Sequence, residues 1–146
     1  MNYVRKTRLV YKQKEFVHQS CFVFKRKTEG NSVKIIDMHC DTIYEIFEGR
    51  KRGKNISLRE SSLMIDLVKL KKSGYSVQNF ALFVEQKKGE SSFEKVRELL
   101  AVFQEEMKEN QDLIAQVYTT EDILKNEKKG KLSALLTVEE IGRAHV

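Results

Sequence analysis

Proline is absent from all 146 residues, although average usage of about 5% would supply roughly seven. No Pro-rich linker can therefore be drawn anywhere in the chain, and a Lys-rich, Pro-free composition fits an AT-rich coding sequence. Cysteine is nearly absent too. Cys21 and Cys40 alone cannot make a disulfide framework, which sets a reduced, cytoplasmic compartment as the expectation. Long apolar runs are missing. None approaches the ~18 residues of a membrane span. "CFVF" (Cys21 to Phe24) is too short for a signal-peptide core, and no small-residue cleavage site follows it.

A charge signal is present but confined. The net charge of +6 suggests a nucleic-acid partner until it is located. Residues 1–32 hold eight Lys/Arg against two Glu, so the remaining 19 basic and 19 acidic residues cancel. The neutral body gives no electrostatic case for a polyanion. With 40% hydrophobic and 33% charged residues, the composition is that of one soluble globular domain.

Residues 1–32 show no sustained period of 2 or 3.6. They read as a basic arm, a floppy extension, or translation from a start codon assigned too early, with Val33 as the true GTG start; the last is favoured. From Val33 the pattern is regular. "VKIIDMHCD" predicts a strand, and Thr42 can cap a helix over "IYEIFEGRK". "GRKRGKNISLRESS" reads as a polar loop, and "LMIDLVKLKKSG" as a helical or irregular segment ending at Gly74. "SVQNFALFVE" (Ser76 to Glu85) is a near-continuous apolar run suited to a parallel strand covered on both faces. "SFEKVRELLAVFQEEMKENQ" is the clearest helix. Ser92 with Lys95 falls short of a capping box there. Phe93, Val96, Leu99, Leu100, Phe103 and Met107 form one apolar stripe, read as core packing. "LIAQVYT" is strand-like, "TEDILKNEKKG" a short helix capped by Thr120 and stopped at Gly130, and "KLSALLTVEE" a third buried strand. Alternating strands and helices predict an α/β fold with a parallel sheet and right-handed crossovers.

In such folds chemistry gathers beyond the carboxyl ends of strands. The first strand ends in His39 and Asp41, two apart, so both point the same way with Cβ atoms about 6–7 Å apart. An imidazole nitrogen and a carboxylate oxygen can then converge on one ion about 2 Å from each. Asp37 precedes them at the same spacing, as a partner to orient the imidazole. Cys40 points to the opposite face as a small packed residue. The third strand ends in Glu139, whose carboxylate enters the same cleft. A lone HxD is common by chance and is ordinarily a surface pair or a capped turn. One His and two carboxylates on buried strand ends suit zinc or manganese.

Three blocks together, "IIDMHCDTIYEI", "SSLMIDLVKLKKSGYSVQNFALFV" and "LSALLTVEE", resemble the opening third of the membrane (renal) dipeptidase family of zinc metallopeptidases. The resemblance runs from about Val33 to Glu139. It implies a (β/α)8 TIM barrel, present here as roughly its first three β/α units, with a binuclear zinc centre that hydrolyses dipeptides through a metal-bridging water. His39 and Asp41 match ligands of one zinc, and Glu139 matches the carboxylate that bridges both. Gln78 is retained from the family pattern as a pocket residue. No residue is assigned as catalytic. "DLVKL" lacks the family's usual proline, and Ser73 stands where Gly is common.

Such a barrel needs about 250 residues, and the second zinc's two histidines would lie downstream; His145 is not one of them. "EIGRAHV" (Glu140 to Val146) back-translates to a widely used short-read sequencing adapter. The tail is therefore expected to be non-native, and the chain an inactive fragment divided at 1–32, 33–139 and 140–146. A dipeptide substrate, two zinc ions and a homodimer are expected of the full-length protein, with no nucleic acid and no membrane. The competing readings are another metal-dependent barrel hydrolase, amidohydrolase or TatD-like, which usually carries H-x-H at the first strand, or a small basic-armed nucleic-acid-binding protein.

Overall fold

The computed structural model describes residues 23–27, 33–85, 89 and 91–141. The expectations for Cys21, for most of the basic extension and for the tail from residue 142 onward lie outside these residues. The elements in order are β1 (Val23–Lys27), β2 (Val33–Asp37), α1 (Thr42–Lys51), α2 (Leu67–Lys72), β3 (Tyr75–Glu85), α3 (Ser92–Glu109), β4 (Ile114–Gln116), α4 (Thr120–Lys128) and β5 (Leu132–Ile141).

They build one mixed sheet in the order β1-β2-β3-β5-β4. Four strands are parallel, and β1 is antiparallel to β2. β1 is the addition to the sequence reading. It carries no clear alternation because Lys25, Arg26 and Lys27 interrupt it, yet its main chain pairs along the whole of β2. The α/β class is as expected. β2, β3 and β5 are successive parallel neighbours, while β4 lies outside β5, so the chain passes to the edge before returning to the middle.

The core follows from strand parity. Phe80, Leu82 and Val84 alternate on one face of β3 and pack with Ile43, Ile46 and Phe47 of α1 and Leu99 and Phe103 of α3. The Phe80 and Phe103 rings lie 6.0 Å apart. Burying each of these large side chains contributes about 1.5–3 kcal/mol. The α3 stripe is realised at Leu99 and Phe103, both fully buried, but Phe93 in the first turn is 69% exposed. On the same helix face Glu106 is fully buried, which the stripe did not show.

The expected caps of α1, α3 and α4 each move back by one residue. Asp41 is the N-cap of α1, Ser91 that of α3 and Thr119 that of α4. At α4 the choice is made by Asp122, which completes a reciprocal capping box with Thr119. Gly74 and Gly130 follow α2 and α4 with φ of 79° and 67°, conformations that cost a side-chain-bearing residue energy. The loop between α1 and α2 is less polar in practice than in sequence, because Leu58 is fully buried in the core.

Asp66 anchors that loop. It is buried, accepts from the main-chain N–H groups of Lys69 (2.8 Å) and Ser61 (3.2 Å), and pairs with Lys69 Nζ at 2.8 Å. Burial pushes its carboxyl up, but the Lys69 and Ser61 hydrogen bonds outweigh burial and hold it below its ordinary value. A depressed folded-state value means the stabilisation is present above 3.8 and is lost as pH falls through the lower, folded value. Asp66→Ala is expected to cost about 2 kcal/mol at pH 7, read from urea midpoints, and less as the pH is lowered below about 4. An unchanged midpoint at pH 7 would contradict this account.

Candidate metal centre

The centre is built at the carboxyl ends of β2 and β5, on either side of β3. Beyond β2 the main chain continues alongside β3: Cys40 N–H donates to Asn79 O (3.0 Å), and Ala81 N–H donates to Cys40 O (2.9 Å). These two bonds bracket Phe80, so Cys40 joins Phe80 in the helix-covered core, 3% exposed. Burial, joined by the nearby Asp37 and Asp41 charges, pushes its thiol up to about 12 against weaker opposing hydrogen bonds from Thr42. Cys40 is thus a packing residue. Its two chain neighbours, His39 and Asp41, are turned to the other face.

On that face His39 meets both carboxylates. Its Nε2 lies 3.3 Å from Asp41 Oδ1 and its Nδ1 3.6 Å from Glu139 Oε2. One donor atom from each of the three residues can be chosen so that all lie within 4.8 Å of one another. Asp41 sits at the N-cap position of α1 without making a capping hydrogen bond. Glu139 arrives from β5 beside Phe83 of β3. Its side chain is 44% exposed, against 22% for His39, so the cluster opens to solvent on the β5 side.

Asp37 is 3% exposed. Its Oδ1 accepts the main-chain N–H of His39 at 3.2 Å, while the two imidazole nitrogens face Asp41 and Glu139. The reason is a local irregularity. Asp37 aligns with Gln78, whereas Cys40 brackets Phe80, so three steps along one strand match two along the other. The extra residue breaks the simple alternation between Asp37 and His39, and the Asp37 carboxylate closes the bend. Gln78 is not brought to the cluster. It alternates with Phe80 and Leu82 on the helix-covered face, fully buried, with its Nε2 donating to Asn79 O at 3.1 Å.

Two residues absent from the sequence reading stand beside the ligands. Asn79 is 6% exposed. Its Nδ2 donates to Met38 O (2.8 Å), and its Oδ1 accepts from Thr137 Oγ1 (3.3 Å). The available signal was a polar amide inside the otherwise apolar run "FALFV" and its lead-in.

The donor chemistry fits a divalent cation. Two carboxylates offset its charge, and with one imidazole they supply hard nitrogen and oxygen donors. Two donors about 2 Å from one tetrahedral ion stand roughly 3.3 Å apart, close to the His39–Asp41 separation. Among the described residues, no helix is long and apolar enough to cross a membrane.

Comparison with known proteins adds an independent finding. No curated protein matches the chain. A family model, described as membrane dipeptidase (peptidase family M19), matches residues 29–143. The match takes in all three ligand candidates and most of the sequence, and it starts ahead of Val33. The chain therefore belongs to the membrane dipeptidase family, a family of metallopeptidases.

Proposed function

We propose that this chain is the opening part of a zinc-dependent dipeptidase on a (β/α)8 barrel, with His39, Asp41 and Glu139 as metal ligands and a dipeptide as substrate. The convergence of these three side chains from two strand ends, within a chain of this family, carries the reading. Zinc, when bound, would polarise the scissile carbonyl and acidify the attacking water. His39 would supply the single nitrogen donor, Asp41 would add a carboxylate from beside it, and Glu139 would add a second carboxylate from β5. The opening on the Glu139 side is where substrate would enter. A two-ion centre needs donors beyond these three, which strands further round a barrel would provide.

Zinc binding by the 146-residue chain is therefore expected without dipeptide hydrolysis above a His39→Ala control. A chain extended through the downstream reading frame to two strand-end histidines should release amino acids from dipeptides, and His39→Ala should abolish that release. Turnover by the short chain would overturn the fragment reading. An extended, zinc-loaded chain that cleaves no dipeptide would overturn the dipeptidase reading.

A further inference from the structure

We infer that Asn79 is a positioning residue that ties the two ligand-bearing strand ends into one metal site; the inference rests on the metal-centre reading above. β3 itself contributes no ligand, yet it separates β2 from β5. Convergence of His39 and Glu139 across it therefore needs both outer strands set at one height. Asn79 holds the chain on each side of His39: its amide donates to Met38 O at 2.8 Å, and its main-chain carbonyl accepts Cys40 N–H at 3.0 Å. In the other direction its Oδ1 accepts from Thr137 Oγ1 at 3.3 Å. Thr137 lies two residues before Glu139, on the same face of β5.

The side chain is nearly sequestered from water, and both polar ends of its amide are used. Such a bond pair in a buried setting is rigid, because leaving either group unmade is costly. Gln78 adds to it by donating to the same Asn79 carbonyl at 3.1 Å. An apolar residue of similar size would keep the β3 ladder and the main-chain bond to Cys40. It would release Met38 and Thr137, and with them the relative height of His39 and Glu139. Asn79 thus acts through the ligands rather than on substrate.

The test uses the whole 146-residue chain, with zinc affinity by calorimetry, the cobalt(II) ligand-field spectrum, and the melting temperature of the metal-free protein. Asn79→Leu is expected to weaken zinc about 10–100-fold, the range seen when groups that orient ligands are removed, and to alter the cobalt spectrum. Thr137→Val, on the exposed side of the contact, should cause a smaller loss and a smaller spectral change, and Thr137→Ser should retain wild-type behaviour. Thr137→Val also serves if Asn79→Leu does not fold. A purely structural role predicts a lower melting temperature with affinity and spectrum intact; that outcome, or a Thr137→Val protein identical to wild type in affinity and spectrum, overturns the inference. Wild-type chain that binds neither metal overturns the metal reading and this inference together, whereas wild-type binding with unaffected variants overturns this inference alone.

Discussion

His39→Ala is expected to weaken zinc binding by the chain more than 100-fold, the largest single effect at the site. Removing a group that merely orients a ligand costs about 10–100-fold, and His39 is the cluster's only nitrogen donor. Without it, Asp41 and Glu139 remain as two carboxylates with no imidazole between them. Folding stability should change by less than about 1 kcal/mol, because the His39 side-chain contacts to Asp41 and Glu139 are partly exposed. Glu139→Ala, on a different strand, should lower zinc affinity as well. Calorimetric titration of both variants decides the matter. Wild-type affinity in either would remove that residue from the ligand set.

Glu106→Ala should destabilise the protein by about 3 kcal/mol, a large share of a typical domain's 5–15. Glu106 is fully buried. Its Oε2 accepts the Leu58 N–H at 2.8 Å and Asn110 Nδ2 at 3.3 Å, and its Oε1 pairs with the Arg50 guanidinium. Arg50 in turn donates from Nε to Ile56 O at 3.1 Å. Truncation would leave the Leu58 N–H without its acceptor and strip Arg50 of its inner partner. Arg50 is 30% exposed, so water recovers part of the loss, and the figure falls at the low end for broken buried pairs.

Burial pushes the Glu106 carboxyl above its ordinary value, against the lowering effects of the Leu58 N–H and of Arg50. A raised folded-state value means that this carboxyl's contribution to stability is most favourable below 4.5 and declines as pH rises through the folded value. Glu106→Gln keeps an acceptor for Leu58 and removes the titration. It should cost less than the alanine change and lack that decline. Urea midpoints of the three proteins across pH 4 to 7 check both statements. Equal midpoints for wild type and Glu106→Ala would show that the cluster contributes nothing.

Much of the molecule was legible in one dimension because local rules produced it. The period of α3, the unbroken apolar run of β3 and the HxD spacing each depend on neighbours a few residues away. Parity alone placed His39 and Asp41 together and turned Cys40 into the core. Sequence pattern and structure part where two local choices are equally good. Thr119 and Thr120 are both acceptable caps by type, and only the position of Asp122 separates them. Phe93 fits the apolar stripe as well as Leu99, yet it is exposed where Leu99 is fully buried.

What the sequence determined by itself was therefore the class of most elements from Val33 onward and the parallel α/β plan, with His39, Asp41 and Glu139 as the proposed ligands. The tertiary structure decided which distant groups meet. It buried Glu106 by bringing Arg50 and Leu58 to it, bent the chain at Asp37 through one extra residue, and set Asn79 between Met38 and Thr137. Those partners lie tens of residues apart along the chain. Hydrogen bonds and burial act through space, so no local pattern could have named them.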